Sequence, residues 1–584
     1  MTHPTKPDDP AAAYWKMRHS PPHRKKIMHL RDSKRGARKA ALALAIMCAV
    51  TASPLSSPAF SATPSPGDFR VATENGVENQ YLVTLKTQPE SLEDRKNIAD
   101  DIARQYNGKV RFVFESAMNG FSVSMSEADA RRLAENTVVD YVEQDVEITE
   151  EYAPAIEGAK PQAVETEASW NMDRIDQRKR PLDGKFNANN PTGDGSGAGT
   201  RIYVTDSGIN PHRTFGNRLK FGTDVTSDPS RGYAPGEDCR YHGTASASVA
   251  AGAAYTKDSG DVNHGYGTAR GADIVNVKWF NCDGNTTGDQ MIRGLDWIVN
   301  DPNRIPHKAV VSMSSLVTDL PGFSNAITQL TNSGTSVVIA AHNFGNNVCD
   351  EDSSPVYRRP DVIVVGATNE ADTRATFENG GSSNYGACVA MWAPGVNVPA
   401  ASNDSVDGSM NYGGTSASTP AVAGAAAILQ ARGYSSAAAV KARLQQEASE
   451  STLVGMPNSP SYLLHVGGHY VNSTPANLVD NGSVTSSATV VSDQGDAKAR
   501  QYLRVKVNIV HHTRGDLALD LIAPDGTSYR FYHPNSDTGN DLFQEFNVDA
   551  SSEAPNGQWK LKITDTKADS ETFDGRLDRW MLQF

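Results

Sequence analysis

Five short apolar runs dominate the middle of this chain: Arg201-Ile-Tyr-Val-Thr205, Ala272-Asp-Ile-Val-Asn-Val277, Ala309-Val-Val-Ser-Met313, Ser336-Val-Val-Ile-Ala340 and Val362-Ile-Val-Val-Gly366. Helix-like stretches separate them. Runs this short are strand-sized, and their near-continuous apolar character reads as strands buried on both faces. Such strands alternating with helices predict an α/β domain built on a parallel sheet covered on both sides. At 584 residues the chain is longer than one such domain needs, the ordinary scale being roughly 150 residues per domain. The flanking segments read differently. A strand over 81–86, a charged helix over 92–106, strands over 110–114 and 121–125, a helix over 127–135 and a strand over 138–146 make a small α+β unit at 79–150. A linker rich in Glu, Ala and Pro spans 147–169. After Gly467 strictly alternating runs such as Leu503-Arg-Val-Lys-Val-Asn-Ile509, separated by turns such as Pro524-Asp-Gly526, predict an antiparallel β-sandwich over 470–584.

Near the N-terminus a basic stretch, the apolar run from Ala41 to Val50 and small residues ending at Ala62 have the three regions of a secretory signal. We assign the signal to 28–61, with cleavage after Ser61 and residues 1–27 upstream of an ordinary start at Met28. A membrane anchor is the rival reading, but the run falls short of the ~20 residues a span requires. A secreted, extracellular protein without a membrane span is expected. Lysines and arginines number 55 against 68 acidic residues, a net charge of −13, which leaves no broad basic footprint for nucleic acid. A monomer is expected. Of five cysteines, Cys48 lies inside the signal, and Cys239, Cys282, Cys349 and Cys388 remain in the exported part. Four thiols in an oxidising compartment predict two disulfides, with three pairings open; no close CxxC pair points to zinc.

Three stretches carry chemistry. Gly414-Thr-Ser-Ala-Ser-Thr-Pro420 runs into the apolar stretch Ala421–Leu429, which predicts a helix with proline in its first turn. Ser416 then sits at a helix N-terminus, where unpaired N–H groups favour a developing oxyanion. Tyr203-Val-Thr-Asp206-Ser-Gly208 puts a carboxylate where a buried strand ends and a glycine turn begins, the usual place for functional groups in an open parallel sheet. Cys239-Arg-Tyr-His242-Gly-Thr244 presents a histidine at the start of a small-residue helix. Each alone is also the ordinary dress of a helix cap, a turn or a surface histidine. Their conjunction, in the order Asp, His, Ser, is what singles them out.

On these motifs residues 165–465 resemble the subtilisin-like serine peptidases, closest to their proteinase K-like branch. The resemblance implies a serine endopeptidase of proteins and peptides, with Ser416 as nucleophile, His242 as general base and Asp206 orienting the imidazole. It implies that Asn343, in Ala340-Ala-His-Asn343, donates to the oxyanion. It also implies the pairings Cys239–Cys282 and Cys349–Cys388. Residues 79–150 resemble the inhibitory propeptide of these enzymes, an intramolecular partner, and Trp170-Asn-Met-Asp-Arg-Ile-Asp176 resembles a mature start, placing self-cleavage between Tyr152 and Ser169. Residues 470–584 resemble the P domain, on His512-Thr-Arg-Gly-Asp-Leu517, Asp520-Leu-Ile-Ala-Pro-Asp-Gly526 and Asn556-Gly-Gln-Trp559.

The chain departs from the family in its substrate-binding segments. Ser314, Ser315, Leu316 and Val317 stand where Ser-Leu-Gly-Gly is usual, and His342 replaces a glycine beside the specificity pocket. Ala245 and Ser248 replace a histidine and a glycine in the helix after His242. No cofactor is required for the chemistry. A structural calcium ion is the one metal considered: Ala390 removes one family ligand, while acidic turns around Asp516, Asp520 and Asp525 are candidate ligands, with solvated turn carboxylates the simpler reading. Two other functions are weighed, a processing protease of restricted, basic specificity suggested by the P domain, and an inactive extracellular binding protein.

Overall fold

The computed structural model describes residues 68–149 and most of 168–583. Residues 1–67, 150–167, 187–195, 491–502 and shorter gaps lie outside the described residues, and with them the predicted signal at 28–61 and nearly all of the predicted cleavage region. The central unit is built on seven strands in the spatial order Val389–Pro394, Val362–Thr368, Ser336–Ala340, Ala309–Met313, Arg201–Asp206, Asp273–Lys278, Leu219–Asp224. Every neighbouring pair is parallel. The five apolar runs read from the sequence are its five inner strands. Both edge strands escaped the reading for physical reasons. Leu219–Asp224 is partly exposed and carries Lys220 and Gly222, as an edge position tolerates, and Val389–Pro394 ends in the proline of a turn.

Alternation along each strand sends side chains to opposite faces. Ile202, Val204, Val310, Val338 and Ile363 face one core together with helices His242–Ala251, Thr415–Ala431 and Ala437–Glu447. Tyr203, Val275, Val311, Val337 and Val364 face the other, covered by helices Gly288–Asn300 and Pro321–Asn332. From Arg201–Asp206 the chain passes first to one side of the sheet and later, at Ala309–Met313, to the other. The carboxyl end of Arg201–Asp206 is therefore the point where strand order reverses, and Asp206 is its last residue.

Helix Thr415–Ala431 is buried from Thr415 to Gln430, so it shows no amphipathic stripe. Proline 420 does not sit in the first turn, as the sequence suggested, but inside this helix. The ring has no N–H to give the carbonyl four residues back, which is that of Ser416. The Ser314 hydroxyl donates to that carbonyl instead, at 3.1 Å.

The N-terminal unit pairs its strands in the order Asp68–Arg70, Val139–Thr149, Gly76–Leu85, Gly120–Ser124, Lys109–Val113, with helices Leu92–Gln105 and Glu127–Ala134. It docks on the two helices Gly288–Asn300 and Pro321–Asn332, where Phe114, Ala117 and Met118 join the second core. The Asp296 carboxylate accepts the N–H groups of Glu115, Ser116 and Ala117 at 2.9, 2.7 and 2.6 Å. Strand Val139–Thr149 continues into an antiparallel pairing with Asn285–Thr287 of the central unit. At the other end two antiparallel sheets enclose a separate core that includes Trp559, Trp580 and the inward residues of Leu503–Val510. This sandwich is tied to the central unit through buried Arg443, whose Nη1 lies 2.7 Å from Glu545 and whose other nitrogens meet Glu447 and Gln583.

Candidate active site

The strand end, a helix start and a second helix start converge at the switch point of the sheet. Asp206 ends its strand with its carbonyl accepting the N–H groups of Trp279 and Phe280, at 3.0 and 3.2 Å. Its Oδ1 accepts the Ser207 N–H at 2.7 Å and lies 2.7 Å from His242 Nδ1. Both residues are about 2% exposed. Since a carboxylate only accepts, Nδ1 carries the proton and Nε2 is the basic nitrogen of the neutral ring.

His242 is the first residue of its helix, after Tyr241 in the left-handed region at φ 76°. The helix start presses on the Asp-Ser-Gly turn: a Cβ on Gly243 would stand 2.0 Å from the Gly208 carbonyl oxygen, so only glycine fits there. Asp238, four residues before His242, braces both segments. Its carboxylate accepts the Ser207 hydroxyl at 2.9 Å, the Thr244 N–H at 2.8 Å and the Thr244 hydroxyl at 2.6 Å. Burial raises its pKa, and these hydrogen bonds act against that rise. Lys278, fully buried, donates to the carbonyls of Ser207 and Glu237 at 2.7 and 2.8 Å and pairs with Asp228 at 3.2 Å. Neither Asp238 nor Lys278 was singled out from the sequence. The spacing Asp-Cys-Arg-Tyr-His was the available signal for the first, and a lysine inside an apolar strand for the second.

Ser416 is the second residue of helix Thr415–Ala431, behind the N-cap Gly414 at φ 85°. Its hydroxyl donates to the Ser314 carbonyl at 3.2 Å, while the Ser314 hydroxyl holds its carbonyl, so the two serines bracket each other across 102 residues. At this helix start the Thr415 N–H goes to Asn343 Oδ1 at 2.9 Å and the Ala417 N–H to the Gly414 carbonyl at 3.0 Å. The Ser416 N–H has no acceptor among the described residues. Asn343 Oδ1 also accepts from the Thr415 hydroxyl at 3.2 Å. The acceptor side of this amide is thus committed to the helix start, and its Nδ2 donors have no acceptor among the described residues.

The Nε2 of His242 lies 3.0 Å from the hydroxyl of Tyr412, a residue the sequence reading did not pick. Tyr412 also meets the Ser246 hydroxyl at 2.8 Å, and its ring stands edge-on to the imidazole, 5.3 Å between centroids. Ser314, Ser315 and His342 are buried beside these groups and Leu316 is half-buried. His342 adopts φ 77°, its N–H goes to the Thr415 hydroxyl at 3.1 Å, and its ring packs against Tyr357 and Phe344. Burial pushes its imidazole down to about 4, so it is neutral at ordinary pH.

Cys239 is bonded to Cys282 and Cys349 to Cys388, the first bridge fastening the segment before His242 to the loop after Asp273–Lys278. The acidic residues weighed for calcium have local contacts. Asp520 is held by Arg530 through two hydrogen bonds, Asp516 pairs with Lys567 and Asp525 accepts from Thr527. Each of these three carboxylates thus has a protein partner among the described residues.

Comparison with known proteins finds family matches on all three units. The subtilase family matches residues 197–486, the peptidase inhibitor I9 family residues 80–149 and the proprotein convertase P-domain residues 501–584. An extracellular serine proteinase of Thermus is 32% identical over 55% of this chain and 68% of its own length. A cuticle-degrading protease of Metarhizium anisopliae is 30% identical over 68% of this chain and 92% of its own. Alkaline serine exoprotease A of Vibrio alginolyticus is 30% identical over 69% of this chain and 68% of its own. With a parallel sheet whose Asp206 meets His242 at the switch point, an inhibitor domain seated on the surface helices and a P domain behind, this chain belongs to the subtilase family of serine proteases.

Proposed function

We propose that the protein is a secreted, self-processing serine endopeptidase whose triad is Asp206, His242 and Ser416. The observation that carries this reading is the 2.7 Å contact of Asp206 Oδ1 with His242 Nδ1 beside a helix start that offers a serine hydroxyl. Asp206 fixes the tautomer with the proton on Nδ1 and stabilises the imidazolium that forms. The Ser416 hydroxyl leaves the Ser314 carbonyl, gives its proton to Nε2 and attacks the scissile carbonyl carbon. The oxyanion is received by the Ser416 N–H and the Asn343 Nδ2, two donors with no acceptor among the described residues, so little reorganisation opposes the charge as it develops. His242 then protonates the leaving amine, and water repeats the sequence on the acyl-enzyme. Hydroxyl, imidazole and amide supply the whole reaction, and no cofactor enters it.

The I9 domain fits an intramolecular inhibitor that is cut off between Tyr152 and Ser169, and the Thermus relative described as extracellular, together with the basic and apolar segment at 28–61, supports export. Replacing Ser416 by alanine is expected to leave the full chain uncut and without activity on unfolded protein. Normal maturation of that variant in the absence of added protease contradicts the proposal. A narrower reading, a processing protease with basic specificity, rests on the P domain alone; profiling cleavage of a mixed peptide library separates it from a broad degrader.

A further inference from the structure

The general base of the proposed triad has a second suitor. Nε2 is the atom that must take the Ser416 proton, and it has one lone pair. In this structure the Tyr412 hydroxyl lies 3.0 Å from it. The direction of every proton in this chain of groups follows from the carboxylate at its end. Asp206 can only accept, so His242 Nδ1 donates to it; the neutral ring then has Nε2 as acceptor, so Tyr412 donates to Nε2. With its own proton committed, the Tyr412 oxygen accepts the Ser246 hydroxyl at 2.8 Å.

Resting on the triad reading, we propose that Tyr412 is a positioning residue that caps His242 Nε2 and must yield it to Ser416 before acylation. The placement is built rather than incidental. Tyr412 ends strand Ser409–Tyr412, pairs with Val398 across a hairpin and is 3% exposed, so its ring is held in place by the fold. Ser246 sits on the turn of the helix that follows His242 itself, and only a residue with a small polar side chain there leaves room for the phenol and satisfies its oxygen.

Two effects follow from a donor on Nε2. It competes with the Ser416 hydroxyl for the lone pair, and it stabilises the neutral ring against protonation. Among the described residues, the other titratable groups near the ring act oppositely or at one remove. The Asp206 carboxylate favours the cation, buried Asp238 stands behind Asp206 and is held by Ser207 and Thr244, and the Lys278 ammonium lies beyond the Ser207 carbonyl. None of these changes when the Tyr412 hydroxyl is removed.

The test is Tyr412→Phe in the full chain after it has processed itself, which keeps the ring against His242 and deletes only the hydroxyl. The readout is the second-order rate of labelling by a small fluorophosphonate, measured against pH. In that reaction the Ser416 oxygen bonds to phosphorus, fluoride leaves and the proton passes to His242. A neutral hydrogen bond predicts labelling faster by roughly two- to ten-fold on the plateau, with the acid limb moved up by about half a pH unit to one. Ser246→Ala, which removes the donor to the Tyr412 oxygen and so weakens the phenol's hydrogen bond to Nε2, is expected to shift both quantities in the same direction by less, and it serves if the phenylalanine variant does not accumulate. Unchanged rates and an unchanged acid limb overturn the role of Tyr412 while the triad stands. Labelling that survives Ser416→Ala overturns the triad and the role of Tyr412 with it.

Discussion

The seam between the inhibitor domain and the peptidase domain carries carboxyl groups that resist ionisation, and their removal tests how the inhibitor is held. Glu143, on strand Val139–Thr149, is 4% exposed. Burial pushes its carboxyl from 4.5 up to about 8, opposed by the Arg70 guanidinium and reinforced by Asp319 and Asp145. Asp145 is raised for the same reasons, burial and the facing carboxylate of Asp289, whose N–H it accepts at 2.9 Å. A rise from 4.5 to about 8 is worth about 5 kcal/mol at 1.36 kcal/mol per pH unit. Part of that burial comes from the inhibitor's own sheet, where Glu143 faces Leu82 and Arg70. If separation returns half of the shift, the difference is about 2.4 kcal/mol, roughly 50-fold in the inhibition constant. The sign is fixed by the raised value in the bound state. Binding is strongest below about 6, the free value once half of the shift is returned, where the carboxyl is protonated bound and free; it weakens as pH rises from there towards about 8 and then levels. Glu143→Gln stays neutral throughout, so inhibition by the variant is expected to lose most of this slope and to be tighter than wild type at pH 9 by up to that factor, Asp145 supplying the residual slope. The assay is the inhibition constant of the propeptide between pH 5 and pH 9 with a small peptide substrate. Parallel curves for the two propeptides refute the reasoning.

Asn343→Ala is expected to lower turnover by about 100- to 1,000-fold with little change in KM, because its amide acts on the oxyanion rather than on the ground state; steady-state kinetics check this. Each disulfide closes a loop of about forty residues, worth up to about 4 kcal/mol, so reductant is expected to lower the unfolding temperature, and Cys349→Ser paired with Cys388→Ser to lower it alone. Arg443→Ala takes the guanidinium from buried Glu447 and cuts the tie to Glu545, a cost of about 3 kcal/mol expected as a lower unfolding temperature in thermal melts. Because Asp516, Asp520 and Asp525 are satisfied by Lys567, Arg530 and Thr527, thermal melts with and without chelator are expected to leave the sandwich transition unmoved.

Local pattern was enough for the elements that bury both faces or one face in strict alternation. The five inner strands, the order of the inhibitor domain's elements and the strand Leu503–Val510 are legible because period and burial agree there. The three motif residues were legible too, since an aspartate at a strand end, a histidine and a serine at helix starts each sit in a distinctive local frame. Long-range pairings were not. That Pro420 lies inside its helix and leaves a carbonyl for Ser314, that Asp238 braces two segments at once, and that Asp145 faces Asp289 across 144 residues are facts of assembly, invisible to any window of a dozen residues. Tyr412 is the sharpest case. Nothing in Met410-Asn-Tyr412-Gly marks it, and only the closure of the sheet brings its hydroxyl to Nε2. Local residues decide which element forms, through backbone preference and the spacing of apolar side chains. Which polar atoms meet is decided by packing, since each buried donor must find its acceptor wherever the chain has been folded to place one.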